Sequence, residues 1–302
     1  MAHSLEGVLV VDKPRGPTSQ KVVAQARRLF GTRRVGHAGT LDPMATGVLL
    51  VLLGEATKLS GHLTLDDKRY WAVVALGRST DTLDAEGDTT EERELEPGSA
   101  TREAVLAAIA AETERSEQIP PVFSAIKVAG QRAHRKSRRG EHVELPPRSV
   151  RVKQLELLVL EPAAITLEMT VSKGYYVRAL ARDLGARLGV PAHLSALRRL
   201  ASGPFHIDEA VAWPPASEVT PIPIADAACR SLPSARLTER GTKRARLGQK
   251  LEAADFSGSA EAIHGEPGSR AVAWLDADGQ LVALGQRRDA TLYAVLRGFN
   301  AR

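Results

Sequence analysis

The chain has 302 residues, 43% of them apolar, with a formal net charge of +5; that is enough to fill one sizeable core and a small second one. Its longest apolar runs, Val48 to Leu53 and Gly7 to Val11, are too short to cross a bilayer, and Glu6 and Asp12 stand where a signal peptide needs an uncharged core, so a soluble, cytoplasmic protein with no membrane partner is expected. A single cysteine, Cys229, excludes an internal disulfide and multi-thiolate zinc sites, and eight scattered histidines show no metal-ligand spacing, so no metal is expected.

In chain order, Gly7 to Val11 reads as a strand ending in the turn Lys13-Pro-Arg-Gly-Pro17. Thr18 or Ser19 then caps a helix patterned by Val22, Val23, Ala26 and Leu29 up to Gly31. Tyr70 to Leu76 is β-branched and aromatic and predicts a strand; Thr101 to Glu114 predicts an alanine-rich helix. Val150 to Leu160 and Ile165 to Val171 predict strands joined across Glu161-Pro162, hence antiparallel neighbours. From Val177, apolar residues at 177, 180, 181, 184 and 188 mark a helix that Gly189 and Pro191 end. Composition changes after Pro204: a proline-rich stretch runs from Trp213 to Pro223, followed by a basic helix over Leu237 to Leu247. Asp278-Gly279 between Ala271 to Leu275 and Leu281 to Leu284 signals a hairpin. Two units are expected, 1–228 and a small β-rich 229–302.

The positive charge is local. Residues 127–153 carry nine Lys or Arg against two Glu, so this segment holds +7 and the remainder sums to −2. A solvated charged face is one reading; with Gly130, Gly140, Pro146 and Pro147 in the run, a loop that meets phosphates is the other.

The stretch Gly36-His-Ala-Gly-Thr-Leu-Asp-Pro43 lacks the Walker spacing and its Gly-Lys-Ser/Thr ending, and it is not a dinucleotide fingerprint. Asp42 has no local carboxylate partner of the glycosidase kind, and no Gly-x-Ser-x-Gly elbow occurs. A lone aspartate before proline is either a turn residue or a functional acid, and composition leaves both open.

Ordered motifs over residues 7–206 bear on that choice. Arg34 to Leu49, with Gly36-His-Ala-Gly-Thr-Leu-Asp-Pro43 and Gly47-Val-Leu49, resembles the signature of the TruB family of tRNA pseudouridine-55 synthases. Lys13-Pro-Arg-Gly-Pro-Thr-Ser19, Tyr70 with Leu76-Gly77, Thr80, Thr82, Asp84 and Gly87, and Gln118-Ile-Pro-Pro-Val-Phe-Ser-Ala-Ile-Lys127 are similar to further family motifs. So are Ser172-Lys-Gly-Tyr-Tyr-Val-Arg178 and Leu197-Arg-Arg199 with Gly203 and Phe205.

The resemblance implies an α+β (mixed α/β) pseudouridine synthase fold with a central, largely antiparallel sheet and a PUA-like C-terminal domain. It implies isomerisation of the T-loop uridine (position 55) of tRNA, with the T-stem and loop as partner, no cofactor, and a monomer. Asp42 becomes the catalytic aspartate and Arg178 its ion-pair partner. Tyr70 stacks on the base, and Tyr176 and Leu197 line the pocket. His37 lies near the flipped nucleotide or supports its loop; Lys58 is a phosphate or structural contact. The basic segment 127–153 becomes a thumb along the T-stem. Two alternatives remain at this level: a catalytically silent RNA-binding or RNA-folding protein on the same scaffold, and a synthase acting on another RNA.

Two departures stand out. Tyr175 occupies a place where the family usually has threonine, which predicts a narrowed or reshaped pocket wall. His134 and Ser137-Arg-Arg-Gly140 replace a tyrosine and an Ala-Arg-x-Gly pattern in the basic segment.

Overall fold

A computed structural model describes residues 5–96, 98–123, 127–128, 131–132 and 145–300. The first strand, β1 (Gly7–Lys13), runs two residues beyond its sequence-based end, and α1 (Ser19–Leu29) starts where the Thr18 hydroxyl accepts from the Lys21 amide. Then come β2 (Val35–Ala38), β3 (Thr46–Leu53), a 3-10 turn over Gly54–Leu59, and the one-turn α2 (Ser60–Leu63). After β4 (Lys68–Leu76) follow the hairpin of β5 (Arg78–Thr80) and β6 (Thr89–Glu92), and then α3 (Arg102–Thr113). Strands β7 (Glu117–Gln118) and β10 (Arg148–Ser149) pair with each other, and between them in the chain lies the short pair β8 (Lys127–Val128) and β9 (Gln131–Arg132) at the start of the basic segment 127–153.

Next, β11 (Val152–Glu161) and β12 (Ala164–Val171) form the expected antiparallel pair, and α4 (Val177–Leu188) ends at Gly189 in a left-handed cap. Then β13 (Ala192–Ser202), β14 (Phe205–His206), β15 (Val211–Ala212) and α5 (Ile224–Ser231) lead to a second sheet. That sheet holds β16 (Ser234–Arg236), β17 (Val272–Leu275), β18 (Leu281–Arg287) and β19 (Tyr293–Gly298), with α6 (Glu239–Arg246) and α7 (Ala260–His264) between its first two strands.

The large sheet has the order β11-β12-β4-β13-β3-β1-β15, with β2 beside β3 and β14 beside β13; only the β13–β3 and β1–β15 pairings are parallel. Mixed α/β architecture around a largely antiparallel sheet is therefore observed. At its centre, the run Val48 to Leu53 is apolar at every position because both faces of β3 are covered. Leu49, Val51 and Leu53 join a cluster with α1, α3 and α4, while Val48, Leu50 and Leu52 face α5 and the second sheet. Truncating one such leucine to alanine costs about 2–5 kcal/mol.

The second sheet packs on the first through Leu275, Leu281, Leu284 and Phe299, so one apolar cluster spans both, and α5 contributes Ala227 and Ala228 to it. A separate small core gathers Trp274, Phe256, Tyr293 and Val272. There a Cβ on Gly285 would sit 1.9 Å from the Trp274 ring, which is why glycine occupies that strand position. The basic helix expected over Leu237 to Leu247 starts at Glu239 instead. Thr238 caps it by accepting from Gly241, and Leu237 bonds to Leu275 as an extension of the sheet.

Among the described residues no helix is long and apolar enough to cross a membrane, and no group of three or more His, Cys, Asp or Glu is placed to hold a metal ion.

Candidate active site

Asp42 lies in the loop between β2 and β3, and buried polar groups hold the backbone on both sides of it. The Ser19 hydroxyl donates to the Leu41 carbonyl at 3.0 Å and accepts from the Leu41 amide at 2.8 Å. Arg199 on β13 is 1% exposed and donates to the carbonyls of Gly39 at 3.0 Å, Thr40 at 3.4 Å and Val48 at 2.6 Å. A guanidinium is suited to this because it stays charged under burial and offers several fixed donors. Lys13 at the end of β1 reaches the carbonyls of Pro14 at 2.8 Å, Pro17 at 2.9 Å and Pro43 at 3.3 Å. Gly47 completes the loop: its φ is +97°, and a Cβ would stand 2.2 Å from the Arg199 carbonyl oxygen.

Arg178, in the first turn of α4, donates from Nε to Asp42 Oδ2 at 2.9 Å. Its Nη2 donates to the Phe123 carbonyl and its Nη1 to the Thr82 carbonyl, each at 2.9 Å, and Nη1 lies 3.5 Å from Asp84 Oδ2. Asp84 is itself held, its Oδ1 accepting from the Thr82 hydroxyl at 2.7 Å and the Glu86 amide at 3.1 Å. Loss of water pushes the Asp42 carboxyl above its ordinary value; Arg178 pulls it back, and the neighbouring Asp84 charge pushes it up further. Ionisation of Asp42 thus leans on Arg178.

These groups open into a cavity of about 320 Å³, in the range that admits a small ligand or one nucleotide. Its walls include Asp42, Tyr70, Tyr176, Arg178, Leu197 and Lys68. Five of the seven residues singled out from the sequence are therefore brought together from β4, α4, β13 and the β2–β3 loop. Lys68 carried no sequence pattern. It is buried, donates to the carbonyls of Thr64 and Asp66, and burial pulls its ammonium down to about 8.

The other two lie elsewhere. His37 is on β2, outside the cavity wall. Its Nε2 accepts from the Gln20 amide at 3.2 Å, its Nδ1 is buried without a partner among the described residues, and burial lowers its basicity. Lys58 on the 3-10 turn pairs with Glu55, donates to the Gly298 carbonyl at 2.7 Å and stands over the Phe299 ring. It ties the end of the chain to the large sheet.

Tyr175 contributes to the cavity wall while its hydroxyl points inward and donates to Glu112 Oε1 at 2.8 Å, and Glu112 also accepts from Arg115. Its extra bulk is thus largely absorbed by the core around α3. His134 and Ser137 to Gly140, with most of the basic segment, lie outside the described residues. Lys13, Asp84 and Arg199 were visible as motif members without a role. Their positions in Lys13-Pro, in the Thr80–Gly87 motif and in Leu197-Arg-Arg199 were the only signal.

Residues 27–177 match the family described as TruB family pseudouridylate synthase (N terminal domain), and residues 178–214 match the tRNA pseudouridylate synthase B C-terminal domain. The chain is 43% identical over 300 residues to a tRNA pseudouridine synthase B of Thermobifida fusca (strain YX), covering 96% of this chain and 98% of that one. It is 48% identical over 252 residues to the protein of that name from Cutibacterium acnes (strain DSM 16379 / KPA171202), covering 81% and 85%. Among solved structures, a chain in the crystal structure of a Cbf5-Nop10-Gar1 complex superposes with a TM-score of 0.75 at 26% identity, covering 98% of this chain and 85% of that one.

Proposed function

Because this chain belongs to the TruB family of pseudouridylate synthases and is an isomerase that forms pseudouridine in tRNA, we propose that its target is the T-loop uridine at position 55 and that Asp42 is its catalytic carboxylate. The observation that carries the reading is the Asp42–Arg178 pair at the wall of a cavity that Tyr70 also lines.

In the reaction the bond from ribose C1′ to N1 of uracil breaks, the base turns, and C1′ joins C5. C5 gives up its proton and N1 gains one, so substrate and product are isomers. Asp42 serves as nucleophile at C1′ or as base toward C2′, and either role requires it ionised. Arg178 supports that state and aims the carboxylate. Extruding the uridine costs a few kcal/mol. Stacking on Tyr70 returns about 1–3 kcal/mol of it, and Leu197 and Tyr176 close the walls. The placement of Lys58 supports a structural role, and that of His37, bonded to Gln20 on α1 and outside the cavity wall, supports the loop-structural alternative.

The basic segment 127–153 lies along the T-stem in this reading, recognising shape and backbone, since side chains do not read the deep major groove of A-form RNA. Residues 1–228 form the catalytic domain, 229–302 a PUA-like RNA-binding domain, and the enzyme works as a cytoplasmic monomer.

The test is incubation with an unmodified tRNA transcript and no added cofactor, followed by site-resolved detection of pseudouridine. The expected result is modification at position 55 by the wild type and none by Asp42→Asn. Pseudouridine at another position, or only in another RNA, would refute the substrate assignment. Mass alone is blind to the change.

A further inference from the structure

Helix α4 carries Arg178 in its first turn, yet its N-cap residue, Tyr176, makes no capping hydrogen bond with its own side chain. Gln118 on β7 supplies a restraint from outside. Its Oε1 accepts from the Tyr176 amide at 2.8 Å and its Nε2 donates to the Tyr176 carbonyl at 3.2 Å. Gln118 is 2% exposed, so these bonds are made out of competition with water. Two bonds from one planar amide to both backbone groups of one residue fix an orientation as well as a distance. Tyr176 lines the cavity, and Arg178 follows two residues later.

Two further ties run from the same short segment to the same helix. The Ile119 carbonyl accepts from Arg182 at 3.2 Å, and the Phe123 carbonyl accepts from Arg178 at 2.9 Å. Gln118 also sits in the two-stranded ladder opposite Arg148, a residue of the basic segment 127–153. Gln118 is therefore one of three residues of this segment, with Ile119 and Phe123, that tie it to α4, and the one that holds the residue before the helix by both backbone groups.

We propose that Gln118 is a positioning residue of the isomerisation site, setting the first turn of α4 and through it the aim of Arg178 on Asp42. The proposal rests on the reading of Asp42 and Arg178 as the reacting pair. It needs no contact between Gln118 and the substrate. Loss of the amide lets the Tyr176 peptide rotate, Arg178 then holds Asp42 less well, and the carboxylate protonates more easily.

The experiment measures single-turnover rate, tRNA affinity and the pH profile of the rate for Gln118→Met, Gln118→Glu and a neighbouring control, Glu117→Ala. A misplacement of about 1 Å costs on the order of 100-fold in rate. Gln118→Met is expected to lose about 10- to 100-fold in rate while tRNA affinity changes by less than about 3-fold. The midpoint of its acid limb should move to higher pH. Gln118→Glu keeps the acceptor for the Tyr176 amide and keeps a donor for its carbonyl only while protonated, so its loss should be smaller, and the control should match the wild type. Should Gln118→Met fail to fold, Gln118→Glu decides by the same three readings. A rate within about 2-fold of wild type, an unmoved acid limb, or a rate loss matched by an equal affinity loss overturns the proposal. Asp42→Asn in the same assay separates the two ideas: if it stays active the site reading itself fails, and if it is dead while Gln118→Met is normal only the positioning role falls.

Discussion

Arg178 stands behind Asp42: the two side chains meet at 2.9 Å, with Arg178 7% exposed and Asp42 37% exposed. The cation is enclosed and the acid faces the cavity, the arrangement expected if the carboxylate reacts and the guanidinium stays in place. Asp42→Asn should therefore abolish isomerisation, by at least about 1,000-fold in single-turnover rate, while tRNA affinity stays within a few-fold. Turnover close to wild type would sink the mechanism.

Arg178→Lys replaces three directed donations, to Asp42 and to the carbonyls of Thr82 and Phe123, with a single ammonium. Loss of water already raises the Asp42 carboxyl above its ordinary value of 3.8. Because the proposed mechanism needs the ionised form, wild-type rate should decline as pH falls through a midpoint above 3.8. Arg178→Lys should move that midpoint higher and lower the plateau severely. An unchanged pH–rate curve would mean that Arg178 does not govern Asp42.

Tyr175→Phe tests the inward-pointing hydroxyl. Glu112 is fully buried and burial raises its carboxyl, so losing the Tyr175 donor leaves it with Arg115 alone. The cost should be about 1–3 kcal/mol of stability in urea unfolding, with single-turnover rate nearly unchanged. A large rate loss at unaltered stability would instead place the hydroxyl in the reaction.

Arg148 and Arg151 are exposed at the closing end of the basic segment. If each neutralises one phosphate, changing both to glutamine should weaken binding of every tRNA alike and reduce the slope of log affinity against log salt by about 2. An unchanged slope would remove these two residues from the RNA footprint.

His264 has both ring nitrogens engaged in the small core: Nδ1 donates to the Ala260 carbonyl at 2.7 Å and Nε2 accepts from the Trp274 indole at 2.8 Å. Only the neutral ring does both. Phe256 and Tyr293 pack against it; burial lowers its basicity below the ordinary 6.5, the Ala260 bond offsets part of that, and the Arg287 charge adds a lesser lowering effect. The unfolded chain then binds a proton that the folded one refuses, so this contribution is complete above pH 6.5 and is lost as pH falls through the lowered value. Melting temperature should drop between pH 7 and 5. His264→Gln should be less stable at pH 7 and show a shallower drop, with His37 and His62, also lowered, retaining part of it.

Elements governed by local chemistry were readable in the chain. The cap at Thr18, the left-handed stop at Gly189 and the alternation through Val171 depend on near neighbours, and the structure keeps each close to its expected bounds. The strand β13 was not readable, although it forms the middle of the large sheet and carries Leu197 and Arg199. Bulges against β4 after Leu194 and Arg199 break its alternation, and leucines at 194, 197 and 200 imitate a helical spacing.

The sequence by itself determined the family, the lone acid and four of the residues around it, because ordered motifs bind residue type to position along the chain. Only the tertiary structure brought Asp84 to Arg178, Lys68 and Arg199 to the cavity, Gln118 to Tyr176 and Lys58 to Gly298. Those assignments depend on burial and on hydrogen bonds between residues as far apart as Gly39 and Arg199, or Lys58 and Gly298, and no local pattern encodes such pairs.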